Sequence, residues 1–167
     1  MSSMSASLLA SSGFLVLLIG FLCGAPLGSA INHHRDEERV RAWRVAHSSL
    51  VGGGVMLLAI APNLSIVELP SSLKALASGM LCVSIWSFTF ALTFGAWKGH
   101  RGTQRGTGLG AAATYTANMA GVVLSTIAIL LLSYGSIVHL LRTFSAGRRA
   151  GQSFPITSTF APPVATR

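Results

Sequence analysis

The chain has 167 residues, 51% of them apolar and only 10% charged, with a mean hydropathy of +0.62. A soluble domain carries roughly a quarter charged residues, whereas here the few charges collect in short islands with almost none between them, which excludes an ordinary soluble globule. The net charge of +8 does not point to nucleic acid either, because the basic residues sit in interhelical loops and the tail, where Lys and Arg flank membrane spans and touch headgroups.

A helix needs about 20 mostly apolar residues to cross a ~30 Å hydrocarbon core. The first such run, residues 8–31, is uncharged. Gly28-Ser29-Ala30 resembles a signal-peptide cleavage site, but no Lys or Arg precedes the run, and secretory signals normally begin with a positive region. Leu22 before Cys23 also fails as a lipobox, so a retained span is expected. The two cysteines, Cys23 and Cys82, lie inside apolar runs with no CxxC and no Cys/His metal spacing.

A compact polar island follows, from Asn32 to Arg41, its mixed charges marking a solvated loop or the first exposed turns of the next helix. The second span is expected over 42–61, ending at the turn signal Pro62-Asn63. Beyond a short loop holding Glu68, Pro70 and Lys74 comes a third span over 75–97, then a glycine-rich basic loop with Lys98, His100, Arg101 and Arg105. The fourth span, 111–141, lies in an apolar stretch longer than a bilayer, so it tilts or projects beyond it. Residues 145–167 are rich in Ser, Gly, Pro and Thr with Arg148, Arg149 and Arg167, the composition of a disordered basic tail.

The expected fold is therefore all-α, a polytopic transmembrane bundle of four helices in residues 1–144, multi-pass in the cell membrane with the lipid bilayer as its surroundings. With four spans, the loops after the first and third share one side and carry most of the positive charge, which the positive-inside rule makes cytoplasmic. Small residues that let backbones approach are the packing signal in lipid. Ala113, Ala117, Gly121 and Ser125, four apart, form such a stripe on the fourth span. Gly52-Gly53-Gly54 marks a close approach on the second, by another helix or by a flat ligand.

Polar groups at membrane depth are functional candidates. His47 lies about one turn inside the second span, and at 100° per residue it shares a stripe with Val51, Gly54 and Leu58, with Arg44 alongside. A histidine followed on its own face by a glycine suits an axial haem ligand: the imidazole reaches iron, the absent side chain leaves room for a porphyrin, and Arg44 can pair with a propionate. The other reading is an interfacial histidine hydrogen-bonded to a headgroup or serine, with Arg44 snorkelling. His139 stands at the far end of the fourth span, on the order of 25 Å away at 1.5 Å per residue, so a bis-histidine haem is excluded. Depth also gathers Phe90, Thr93, Phe94 and Trp97 with Tyr115, Thr116 and Asn118 in the His47 leaflet, an aromatic pocket with a few hydroxyl and amide groups able to hold a ligand. Thr93, Tyr115 and Asn118 are its candidate catalytic groups. All four carboxylates fall outside the expected spans, and no nucleophile triad or phosphate loop is present.

The run Trp43-Arg44-Val45-Ala46-His47-Ser48, with Gly54 seven residues after the histidine, resembles the second-helix segment of bacterial styrene oxide isomerases. The resemblance implies a four-span trimer in which His47 is the axial ligand and metal-binding residue of ferric haem b near a subunit interface. It implies Lewis-acid isomerisation of a small hydrophobic epoxide to an aldehyde without redox turnover. The family has an Asn six residues beyond the histidine and an Asp and a Tyr on the third helix; here those positions are Gly53, Ser84 and Leu92. Tyr115 is the candidate for a substitute hydroxyl. Two further readings stand beside this one: a haem-binding membrane protein without isomerase activity, and a non-catalytic membrane subunit or scaffold.

Overall fold

A computed structural model describes residues 2–98 and 108–151. It contains five helices: α1 (Ser2–Leu22), α2 (Gly24–Asn32), α3 (Glu37–Asn63), α4 (Ser71–Lys98) and α5 (Leu109–Gly151). α1 and α2 together make the first span, so four helical segments are long and apolar enough to cross a membrane. Among the described residues there is no strand, and the four-span all-helical architecture expected from the sequence is present.

The boundaries differ from the apolar runs for local reasons. The first span is interrupted at Cys23 because Pro26 has no N–H to give the carbonyl one turn back. Cys23 N still bonds Ile19 O and Leu27 N bonds Cys23 O, so the chain bends without unwinding. α2 ends in a Schellman turn: His34 N bonds Ile31 O at 3.1 Å and Arg35 N bonds Ala30 O at 3.0 Å. This places His34, at φ 46°, in the left-handed region. α3 begins in the charged island rather than at Ala42. Glu37 and Glu38 in its first turn favour the positive end of the helix dipole, and Arg41 pairs with Glu37 one turn away. Its last carbonyls are served by Lys74, whose Nζ donates to Leu64 O at 3.0 Å. α5 continues through Gly151, past the expected start of the tail; the remainder of that tail, like His100, Arg101 and Arg105, lies outside the described residues.

α1, α3 and α4 pack against one another, while α5 packs closely on α4. The tightest crossing is between α1 and α3. A Cβ on Gly20 would stand 2.8 Å from Val51 N, and one on Gly54 would stand 2.8 Å from Leu17 N and 2.9 Å from Gly13 O. No side chain fits there, so the two backbones are in direct contact. Around this seam lie Leu9, Val16, Leu50, Leu57 and Leu81, all buried. The three consecutive glycines divide their work: Gly54 meets α1, Gly53 accommodates Ile85 of α4, and Gly52 has nothing within 4 Å.

α5 is held along a seam of Thr114, Asn118, Gly121, Ala128, Leu132 and Gly135, whose alternating spacing of three, four and seven is that of shallow-angle helix packing. The four-residue stripe read from the sequence meets this seam only at Gly121, where the Phe88 ring occupies the glycine's side. Ser84 Oγ donates to Gly121 O across the interface at 2.7 Å. At the opposite end the α3–α4 loop straps onto α5. Val67 and Leu69 cover Gly135, and Glu68 N donates to Gly135 O at 3.2 Å. The Glu68 carboxylate contacts His139 Nδ1 at 3.2 Å and forms an ion pair, without hydrogen-bond geometry, with Arg142 Nη1 at 2.5 Å. Most other in-span hydroxyls donate to carbonyls of their own helix, among them Thr89, Thr93, Thr114 and Ser125, which satisfies them without water.

The glycine geometry gives opposite signs at neighbouring positions. Gly54→Ala drives a methyl into the α1 backbone and should cost about 1–3 kcal/mol as over-packing. Gly52→Ala meets open space and should gain up to about 1 kcal/mol of helix propensity. Thermal unfolding in detergent is expected to show a lowered midpoint for the first and an unchanged or raised one for the second; equal shifts would contradict the α1–α3 contact.

Candidate functional site

His47 sits half-buried on α3, on the side facing the α1–α2 junction. The same close crossing that needs Gly20 brings the Gly20 carbonyl to 2.8 Å from His47 Nδ1. A carbonyl can only accept, so Nδ1 carries the proton and donates, which makes Nε2 the acceptor of the neutral ring. Nε2 has no hydrogen-bond partner among the described residues. Gly24, one turn on, lies beside the ring: its Cβ would come 3.6 Å from both Nδ1 and Cε1. Gly28, another turn on, has nothing within 4 Å. The imidazole is thus fixed in tautomer and plane, with a side-chain-free strip of helix next to it. An Nδ1–H bonded to a backbone carbonyl is the usual orienting contact of a metal-ligating histidine, so the donor set suits a single axial ligand.

The other cofactor-binding candidates stand differently. The space beside Gly54 is filled by Gly13 and Leu17 of α1, so in this protomer its missing side chain serves helix packing rather than a flat ligand. Gly24 and Gly28 offer the open surface instead. Arg44 is exposed, and its carbonyl accepts from Ser48 Oγ at 2.9 Å.

Thr93, Tyr115 and Asn118, grouped with His47 by depth in the sequence, stand on α4 and α5 rather than at the α1–α3 crossing that holds the histidine. Thr93 Oγ1 donates to Thr89 O at 2.6 Å within α4. Half-buried Tyr115 and buried Asn118 stand on α5, which packs on α4. The aromatic residues follow α4 toward α5: Phe90 stacks on Phe94 with ring centres 5.5 Å apart, Phe94 meets Trp97 edge-on at 6.5 Å, and Phe94 packs beside Gly110. The positions that differ from the styrene oxide isomerase pattern are also accounted for structurally. Ser84 is bonded to α5, Gly53 faces Ile85, and Leu92 packs against the cluster of Ala42, Ala46 and Ala96.

Sequence reasoning missed Gly20 and Gly24, although the spacing Gly20, Gly24, Gly28 was a signal of close approach in the first span. It also missed a small cavity at the membrane-surface end of α2, α3 and α4, lined by Arg35, Arg39, Trp43 and Trp97. No group of three or more His, Cys, Asp or Glu side chains able to hold a bare metal ion occurs among the described residues.

Comparison with known families gives one match. The family described as styrene oxide isomerase aligns with residues 5–137, about four-fifths of the chain and all four spans. No curated protein and no solved structure matches.

Ser84 should therefore behave as a packing residue. Ser84→Ala removes one interhelical hydrogen bond and is expected to cost about 0.6 kcal/mol, the average for such bonds in a membrane protein. The thermal midpoint in detergent should fall slightly while any ligand absorption spectrum stays unchanged. A spectral change on this substitution would place Ser84 at the site after all.

Proposed function

This chain belongs to the styrene oxide isomerase family, and on that premise we propose that it binds haem b through His47 Nε2 and isomerises a small hydrophobic epoxide to an aldehyde. The observation that carries this reading is the 2.8 Å hydrogen bond from His47 Nδ1 to Gly20 O, which leaves Nε2 available on a half-buried ring. When bound, the haem supplies a Lewis-acidic iron for the epoxide oxygen.

The residues of the chain have three tasks in this scheme. His47 holds the cofactor, and the Gly20 carbonyl keeps the ring in the tautomer that can do so; hydrogen bonding at the far nitrogen also raises the basicity of the ligating one. Gly24 and Gly28 keep the adjoining α2 surface free of side chains where a planar group must approach. The apolar exterior of the spans lets a hydrophobic epoxide arrive from the bilayer and excludes the water that would hydrolyse it. Because His47 lies at the edge of the protomer, the remaining wall of the site comes from a second copy, in keeping with the trimer that the family resemblance implies. Residues from that copy, with Tyr115, Asn118 and Thr93 the candidates, would then supply the polar contacts that Gly53, Ser84 and Leu92 do not.

A second reading keeps the haem and omits the rearrangement. It is favoured by the three positions where the family's Asn, Asp and Tyr are replaced by groups engaged in packing.

Detergent-purified protein expressed with haem supplementation should show a Soret band, and His47→Ala should abolish it. Colourless wild-type protein would end both readings. Incubation with styrene oxide and no electron donor should then yield phenylacetaldehyde; a Soret band without product would leave only the second.

A further inference from the structure

The cavity at the His47 end of the bundle, about 230 Å³ in volume, is lined by Arg35 of the α2–α3 connection, Arg39 and Trp43 of α3, and Trp97 of α4. Arg35 follows the Schellman turn of α2, whose Arg35 N to Ala30 O bond fixes where its side chain starts. Arg39 lies in the first turn of α3, and its Nη2 donates to Trp97 O, at the end of α4, over a long 3.4 Å. That uses one of its five N–H donors. Arg35 has no ion pair or hydrogen bond from its guanidinium among the described residues. No carboxylate lines the cavity; Glu37 is engaged by Arg41, and neither Asp36 nor Glu38 forms an ion pair with Arg35 or Arg39. Two cations thus converge on one space whose lining holds no counter-charge. Of the helix ends around it, α2 and α4 present carbonyls and α3 presents N–H groups, a sum that offsets only part of the two guanidinium charges.

Depth decides what kind of anion belongs there. The cavity opens where α2 and α4 end and α3 begins, the level at which the spans leave the hydrocarbon, and Trp43 and Trp97 occupy the headgroup-level position favoured by indoles. Its volume equals about seven or eight water molecules at ~30 Å³ each, room for a phosphodiester and its nearest glycerol atoms but not for a porphyrin. We propose that it binds the phosphate of an anionic phospholipid headgroup, gripped by Arg35 and Arg39 between the indoles of Trp43 and Trp97. A zwitterionic headgroup would carry its own cation into a site that already has two. The proposal is independent of the haem reading.

Full-length protein in detergent is titrated with phosphatidylglycerol or phosphatidylcholine, and bound lipid is counted by native mass spectrometry. Phosphatidylglycerol should bind about tenfold more tightly, the scale of one to two charge contacts at a membrane surface. Arg35→Gln and Arg39→Gln should each remove most of that preference and the double variant all of it. Arg142→Gln, at the other end of α5, should leave it intact, as should His47→Ala. Arg35→Gln breaks no contact within the protein, so its effect does not depend on Arg39 capping α4. Equal binding of the two lipids, or a preference that survives the double variant, would overturn the proposal. So would loss of the preference in His47→Ala, which would tie the cavity to the cofactor. Inorganic phosphate that binds alone and displaces the lipid would assign the site to a soluble phosphate and overturn the lipid source.

Discussion

Direct contact between the backbones of α1 and α3 organises the rest of the molecule. In lipid no hydrophobic gain separates helix from solvent, so helices are held by how closely their surfaces approach. Gly13, Gly20 and Gly54 remove the side chains that would keep these two apart, and a Cβ at either Gly20 or Gly54 would stand 2.8 Å from a backbone nitrogen of the other helix. That proximity has a chemical consequence. It carries a backbone carbonyl of α1 to the imidazole of His47, a contact no side chain could make with the same rigidity. The glycine that the sequence suggested as clearance for a ligand acts one step earlier, setting the crossing that orients the histidine.

The bundle is asymmetric, and the asymmetry divides its polar groups. Three helices share a core, whereas α5 packs closely on α4 and is secured by the Ser84 hydroxyl, the Phe88 ring over Gly121 and the Glu68 strap near its far end. His47 therefore faces the α1–α2 side, while Tyr115 and Asn118 stand beyond α4. A site that used all of them would draw on faces of α3, α4 and α5.

The spans were legible because a run of apolar residues is a one-dimensional signal: each expected span lies within a helix or, at 8–31, within a pair joined at Cys23. Ends were less legible, since Glu37 and Glu38 extend α3 into a stretch that composition marks as solvated, and Pro26 interrupts a run that hydropathy treats as uniform. His47 was identifiable from its cost at membrane depth. Its neighbours were not, because depth along a helix follows from counting residues, but azimuth depends on which helix lies on which side. Thr93 and Tyr115, grouped with His47 by depth, stand on α4 and α5, with the Thr93 hydroxyl bonded to its own helix. The stripe at Ala113 meets the α4 seam only at Gly121, because four-residue spacing drifts around a helix while the seam from Thr114 to Gly135 alternates threes and fours.

Charge is also partitioned along the membrane normal, and the two ends use it differently. At the far end the Glu68 carboxylate draws His139 and Arg142 onto the α3–α4 loop, which fastens α5, while Lys74 donates to Leu64 O. At the His47 end Arg41 has Glu37, but Arg35, Arg39 and Arg44 are left without a carboxylate among the described residues. Unpaired arginines beside a membrane span gain from an anionic surface by about 1 kcal/mol each. An end that carries several of them, with indoles set between two, is stabilised by the lipid it stands in. The helix crossing fixes His47 from within the protein, and the surrounding headgroups brace the same end from outside.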